Sequence, residues 1–337
     1  MHEKSHSLGK DRHLMSNVNI KRAIENIKAN TTVYTPLIEV VVNAIQAIES
    51  TGRKDGRITI RVHRGSQFDL DGSLPEIHSF EIEDNGIGFN DENREAFDTL
   101  YTDLKIAEGG KGFGRFTCLK YFEDLHVESV YSGINGYMQR KFSMGKDNAI
   151  IVNETITQSK THKSGTIVRL SFFKKGKVIE KKLTTIAKNI VERLLPFFIS
   201  KDYKCPVVIL SEHDGTDPIQ LNDYVNNELS DFIVEIPFEN NTFSLKGIDD
   251  DEGFYVRVFK LFSPKNQKSR ISLVAHKREV SGSAIYKYIP EFIDDFYEKT
   301  SEGELIHNRN YIIKAYVFGE YLDRNVSLER AGFNFEV

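Results

Sequence analysis

Glu39, Asn43 and Gln46 stand at i, i+4 and i+7 in a stretch, residues 37–48, whose other members are all apolar. On a helix these three fall on one narrow stripe. A helix so apolar elsewhere is buried on most sides, so the stripe must face something polar inside the protein or in a pocket. An unpaired buried carboxylate costs on the order of several kcal/mol. Glu39 and Asn43 therefore either satisfy neighbouring groups in a structural network or line a site. A second segment, Glu83-Asp84-Asn85-Gly86-Ile87-Gly88, follows a run in which Phe80, Ile82 and Asp84 share one face and Glu81 and Glu83 the other. Asp84 thus sits on the apolar side, beside glycines that let the backbone come close to a ligand. A buried carboxylate at a strand end can accept a hydrogen bond from an exocyclic amine such as that of adenine, although Asp-Asn-Gly is also a common turn. The third segment is Gly109-Gly110-Lys111-Gly112-Phe113-Gly114-Arg115. Glycines that expose successive N–H groups at a helix start make an anion site, and the same glycines would serve a hinge. It lacks the Gly-Lys-Ser/Thr ending of a P-loop and does not fit the dinucleotide fingerprint. Together the three offer the parts needed to hold a nucleotide and its metal.

The elements that must position these residues are readable from periodicity and breakers. Residues 1–17 read as a loose tail and Val18 to Lys28 as a helix. Thr35 as N-cap and Pro36 at the first helical position start the helix that carries Glu39, which should run to about Ser50. Arg57 to Arg64 alternates as a half-buried strand, and His78 to Asp84 is the next. A helix from Asp91, a polar loop and a helix starting within Gly112 to Phe116 follow, then strands near 125–131, 136–142, 149–154 and 165–173. Helices first and antiparallel strands later predict an α+β fold, a two-layer α/β sandwich. The basic turn at Lys174-Lys175-Gly176-Lys177 marks an expected boundary, giving domains at 18–175 and 176–337. Beyond it the pattern predicts a long amphipathic helix at 180–198, strands near 207–211, 232–236, 255–262, 271–276 and 311–318, and a helix near 285–297. The ordered-looking Asn334-Phe335-Glu336 leads us to expect further sequence or a partner beyond Val337.

The length of 337 residues agrees with two domains. A net charge of −4 argues against non-specific nucleic-acid binding over the whole surface, leaving room for a local basic patch that could meet DNA. Cys118 and Cys205 are far apart and lack ligand spacing, so neither a disulfide scaffold nor a zinc site is indicated, and a reduced, cytoplasmic setting is expected. No secretory signal is seen, and no apolar stretch approaches the ~20 residues of a membrane span, so no membrane partner is expected.

In order and spacing the motifs resemble the ATP-binding family that joins DNA gyrase B, the ninety-kilodalton heat-shock chaperones, histidine kinases and the mismatch-repair protein MutL (GHKL, Bergerat fold). Glu39-Val-Val-Val-Asn43-Ala44-Ile45 looks like its N box, Asp84-Asn-Gly86-Ile87-Gly88 like its first glycine box, Gly110-Lys111-Gly112-Phe113-Gly114 like its second, and Ser164-Gly165-Thr166 like its closing Gly-Thr motif. The resemblance covers about residues 18–175 and implies ATP and Mg²⁺ as ligands. It implies that Asn43 coordinates the Mg²⁺, Asp84 binds the adenine amine with Thr166 in support, and Gly112 to Gly114 wrap the phosphates with charge from Lys111. It makes residues 90–108 a lid and Glu39 the general base for the attacking water. Gln46 departs from gyrase-like members, which carry an acid there.

The resemblance further implies a second, transducer-like α+β domain that sends a basic residue to the γ-phosphate. Lys277, with Arg278 beside it, is one candidate. Arg330, in the run that starts at Asp323, is another and is preferred. A solvated surface charge is the bland alternative for both. Glu39 and the tail context of His13 favour an ATPase over a histidine kinase. The expected activity is ATP hydrolysis driving a switch, with an ATP-dependent homodimer clamp and a downstream effector as implied partners. The task would lie in DNA processing, chaperoning or anti-phage defence. A non-catalytic nucleotide-binding scaffold is the principal rival.

Overall fold

Helix α2 (Tyr34–Glu49) forms where the apolar residues outnumber every breaker, and it buries Leu37, Val41 and Ile45 completely. It begins one residue ahead of the expected cap. Thr35 does not cap it but accepts a hydrogen bond from the Thr32 N–H at 2.9 Å, and no side chain caps the helix at Val33. The computed structural model describes residues 19–25, 27, 31–65, 74–99, 114–226, 231–246, 251–327 and 332–335. A short α1 (Ile20–Glu25) precedes α2. Then come β1 (Arg57–Arg64), β2 (Ile77–Asp84), α3 (Asp91–Asp98), α4 (Gly114–Tyr121), β3 (Phe122–Gly133), β4 (Gly136–Met144), β5 (Ile151–Gln158) and β6 (Gly165–Phe173). Helix α5 (Leu183–Ile199) leads to β7 (Val207–Glu212), β8 (Ile219–Gln220) and the single turn α6 (Asp223–Asn226).

These strands make one eight-stranded sheet in the order β5-β4-β3-β6-β2-β1-β7-β8, antiparallel apart from the parallel pair β1–β7. Its inner face carries Ile58, Ile60, Phe80, Ile82, Val127 and Leu170 into a core shared with α2, α4 and α5. This is the two-layer sandwich expected from the element order. The expected boundary at 175–176 falls inside the first sheet: β7 and β8 come after it in the chain yet extend the same sheet past β1. A parallel partner for β1 requires a crossover, and α5 is that crossover.

The sheet's outer face is held by charges that neutralise one another across the strands. Arg61 bridges Glu81 at 3.0 Å and Glu83 at 2.7 Å, Arg169 bridges Glu81 at 2.8 Å, and Lys141 bridges Glu128 at 2.9 Å. This face is therefore polar without being basic.

A second sheet follows: β9 (Ile233–Glu235), β10 (Thr242–Lys246), β11 (Asp251–Phe262), β12 (Arg270–Ala275), β13 (Arg278–Ala284), β14 (Phe296–Lys299) and β15 (Leu305–Phe318), closed by α7 (Glu320–Asn325). Its main order is β10-β11-β15-β12-β13. The helix expected near 285–297 is instead two short 3-10 turns, 285–287 and 290–293, and then β14. Pro290 has no N–H and disfavours helix in the residue before it, which explains the break. The second sheet packs on α5. Buried Lys314 of β15 pairs with Glu192 of α5, and the Arg257 guanidinium donates to the Ile199 carbonyl at 2.6 Å. Burial raises the Glu192 carboxyl, but Lys314 outweighs it and leaves the group below the ordinary carboxylate range.

Candidate functional site

The α2 stripe sorts its residues by environment. Ala44 packs into the core, Glu39 and Gln46 are half-buried, and Asn43 is exposed, with no hydrogen bond from its side chain to another described residue. An amide oxygen free in this way can serve a hard cation. Among the described residues no cluster of three acids, histidines or cysteines is arranged to hold a metal by itself. A cation at Asn43 would therefore draw its other ligands from a bound molecule or from water.

Strand β2 delivers Asp84 to the end of the sheet nearest α2. The carboxylate is buried and accepts the Gly86 N–H at 2.8 Å, and the Thr166 N–H from the paired strand β6 also reaches it. Burial pushes this carboxyl up to about 7, against the pull of those two N–H donors, with Glu83 adding to the rise. A carboxyl poised in this way near neutrality is a group whose charged form one more donor would favour. Thr166 supports Asp84 through its backbone, as its hydroxyl is engaged at 3.0 Å by Ser129. The Ser129 hydroxyl donates to the Gly165 carbonyl at 2.9 Å and accepts the Phe89 N–H at 2.8 Å. One serine thus ties the turn after β2 to β6.

The turn itself is bonded to α2: the Ile87 N–H donates to the Ala47 carbonyl at 2.9 Å. About one and two turns of helix further back stand Asn43 and Glu39, each ~6 Å from the next along the axis. The glycines have a reason beyond ligand access. A Cβ on Gly86 would lie 2.6 Å from the Ala47 backbone, and one on Gly88, at φ +84°, would lie 2.2 Å from the Val130 carbonyl oxygen. Both let the turn close on protein, and the Asp84–α2 geometry depends on it.

Two buried arginines that sequence reasoning missed hold α3. Arg140 on β4 donates to the Phe89 and Asn90 carbonyls at 2.7 and 2.8 Å and pairs with Asp91 and Glu154, fixing the helix start. Its signal was parity: Arg140 occupies an inward position between Met138 and Phe142. Arg115 at the start of α4 donates to the Ala96 carbonyl at 3.1 Å, to that of Phe97, and to that of Thr99 at 2.8 Å, capping the C-terminal end of α3. Burial lowers the Arg115 guanidinium to about 10, with Asp98 opposing, so it stays charged at neutral pH. Of the expected phosphate loop, Gly110, Lys111, Gly112 and Phe113 lie outside the described residues, and Gly114 opens α4. Of the expected lid, residues 100–108 lie outside the described residues, and α3 is pinned at both ends.

The second sheet reaches the stripe through the β12–β13 hairpin. Arg278 places its guanidinium 3.1 Å from the Glu39 carboxylate, and Lys277 pairs with Glu49 at 3.3 Å while lying over the Tyr203 ring. His276 and Lys277 occupy the hairpin turn at φ +47° and +61°, a left-handed pair that L-residues adopt at a cost. Asp323 of α7 holds the turn by accepting the His276 N–H at 2.6 Å. Arg330 lies outside the described residues. Asp323→Ala should lower stability by about 1–2 kcal/mol and loosen the grip of Lys277 and Arg278. Thermal unfolding measures the first. The second predicts greater hydrogen exchange at 275–279, and unchanged protection there would refute it.

A family profile described as histidine kinase-, DNA gyrase B-, and HSP90-like ATPase matches residues 30–176. No curated protein matches the chain. Among solved structures, the N-terminal domain of a DNA repair protein is similar in fold at a TM-score of 0.50 and 15% identity, over 88% of this chain and 86% of that one.

Proposed function

Residues 30–176 belong to the histidine kinase-, DNA gyrase B- and HSP90-like ATPase family, and from that premise we propose that the chain binds ATP with Mg²⁺ and hydrolyses it under control of its second sheet. Asp84 accepts the adenine amine, Asn43 gives an oxygen to the cation, and the glycine run that ends at Gly114 takes the phosphate-binding role that its composition suits. Mg²⁺, when bound, neutralises charge on the phosphate oxygens. Glu39 orients the attacking water and takes its proton. Arg278 and Lys277 are the cations that meet the γ-phosphate.

The observation that carries this reading is the Arg278–Glu39 pair, because it joins the hydrolytic candidate to the second sheet in one contact. Lys277 is held further along the same helix. A γ-phosphate would compete with Glu39 for Arg278, so nucleotide state and domain contact are coupled. A homodimer clamp that closes with ATP, serving DNA processing, chaperoning or anti-phage defence, would use that coupling, and light scattering with a non-hydrolysable analogue tests it.

Calorimetry with such an analogue, with and without Mg²⁺, paired with a phosphate-release assay, tests the core of the reading. Saturable Mg²⁺-dependent binding and slow release are expected, and no binding ends the proposal. Arg278→Ala should reduce turnover about tenfold or more with ADP affinity changed less than about twofold; equal turnover removes Arg278. The same ion pair favours one other reading, a nucleotide-binding module whose acid is neutralised and silent. Release of phosphate above background over hours decides against it.

A further inference from the structure

Ser129, Thr166 and Asp84 stand side by side across β3, β6 and β2: Thr166 is in register with Ser129 on one side and with Asp84 on the other. All three are buried, and alternation puts them on the sheet's inner face with Val127, Leu170 and Ile82. Counting assigns the hydrogens in this row. A hydroxyl has one hydrogen to give and two lone pairs to fill. Ser129 gives its hydrogen to the Gly165 carbonyl at 2.9 Å, which can only accept, and takes the Phe89 N–H at 2.8 Å. One lone pair is left on Ser129, so in its 3.0 Å contact with the Thr166 hydroxyl the donor is Thr166. That contact uses the single hydrogen Thr166 owns. Its oxygen keeps only lone pairs, and among the described residues none donates to them. Beside it the Asp84 carboxylate, which already takes the Gly86 and Thr166 N–H groups, also offers only lone pairs when ionised.

We infer that Ser129 is a positioning residue that decides which purine the site accepts: by holding the Thr166 hydroxyl as an acceptor, it makes the edge formed by Thr166 and Asp84 select a 6-amino over a 6-oxo base. This rests on the nucleotide reading above. Asp84 alone does not complete the choice, because a carboxylate also accepts the ring N–H next to the carbonyl of a 6-oxopurine. The carbonyl oxygen of such a base then meets the lone pairs of Thr166, and a buried acceptor without a donor is costly. A hydroxyl free to turn would donate to that oxygen and admit both bases. The other two bonds of Ser129 tie the turn after β2 to β6, and losing them would weaken both bases alike.

The test is calorimetric titration of the full chain at pH 8 with Mg²⁺·ADP and with Mg²⁺·IDP, the inosine nucleotide, which differs from ADP only in the base. The unsubstituted chain should prefer ADP about 100-fold or more. In Ser129→Ala the Thr166 hydroxyl is released, and the preference should shrink about tenfold or more, whatever uniform loss accompanies it. Thr166→Val keeps the backbone N–H to Asp84 and removes the lone pairs; it too should shrink the preference, whereas a freely turning hydroxyl would leave the ratio unchanged. Thermal unfolding checks that each variant is folded; if Ser129→Ala is not, Thr166→Val decides. Equal affinity of the unsubstituted chain for ADP and IDP overturns the inference and leaves nucleotide binding standing, as does an ADP preference that neither variant alters. No binding of ADP by the unsubstituted chain overturns the nucleotide reading, and the inference falls with it.

Discussion

Glu39→Gln will bind ATP and fail to turn it over. The substitution keeps the shape of the side chain and removes the one feature that can take a proton. Loss of a general base lowers rates by on the order of 10²- to 10⁴-fold, so phosphate release should fall to background while analogue affinity stays within about threefold. Stability should change little. The pair with Arg278 is half-buried, its partners 27% and 21% exposed, and such contacts contribute about 1 kcal/mol or less. The same carboxylate is shared with Arg278, so the two substitutions are coupled: Glu39→Gln with Arg278→Ala should be no slower than Glu39→Gln alone. Phosphate release in Glu39→Gln equal to that of the unsubstituted chain would remove Glu39 from the chemistry and leave the pair with Arg278 as a purely structural contact.

What the sequence disclosed was set by local pattern. The α2 stripe was legible because three polar residues broke an otherwise apolar run, and Asp84 because alternation put an acid on the inward face. Strands β1 and β6 were legible over their whole length. Tertiary choices were not. Nothing local says that β7 returns to pair in parallel with β1, because a crossover is written in contacts between distant segments. The side of Gly86 and Gly88 that faces protein is likewise a property of α2 and β3, not of the turn. Lys277 and Arg278 were visible as charges at a strand end, but their separate partners, Glu49 and Glu39, depend on the twist of a hairpin two hundred residues further along. Arg115 and Arg140 carry no role in the sequence reading. Their carbonyl partners cannot be guessed from side-chain chemistry, since every residue carries one. The helix expected near 285–297 takes no account of Pro290, whose ring breaks it.

Asp84→Asn should abolish tight nucleotide binding and make the chain more stable at high pH in the absence of nucleotide. The sign follows from the carboxyl's rise from an ordinary 3.8 to about 7 on burial. A carboxyl raised by folding favours the folded state while it is protonated, so its contribution is full below about pH 4 and is lost as pH climbs through 7. The full span corresponds to on the order of 4 kcal/mol. An asparagine has no charge to bury, but its NH₂ cannot accept one of the two N–H groups of Gly86 and Thr166, which returns roughly 1–3 kcal/mol of that gain. The net expectation at pH 8 is a variant more stable than the unsubstituted chain by about 1–3 kcal/mol, with the difference vanishing or reversing near pH 4. Nucleotide binding has the opposite slope. If the ionised carboxylate is the acceptor for the adenine amine, as proposed, affinity in the unsubstituted chain should fall about tenfold from pH 8 to pH 6 as the group protonates. Asp84→Asn should bind about 10- to 100-fold more weakly at pH 8 and show no such slope. Denaturant unfolding and calorimetry at pH 4, 6 and 8 measure both curves on the same samples. A variant that is less stable at pH 8 and keeps the pH slope of binding would mean that Asp84 is neither an acid raised by burial nor the group that reads the base.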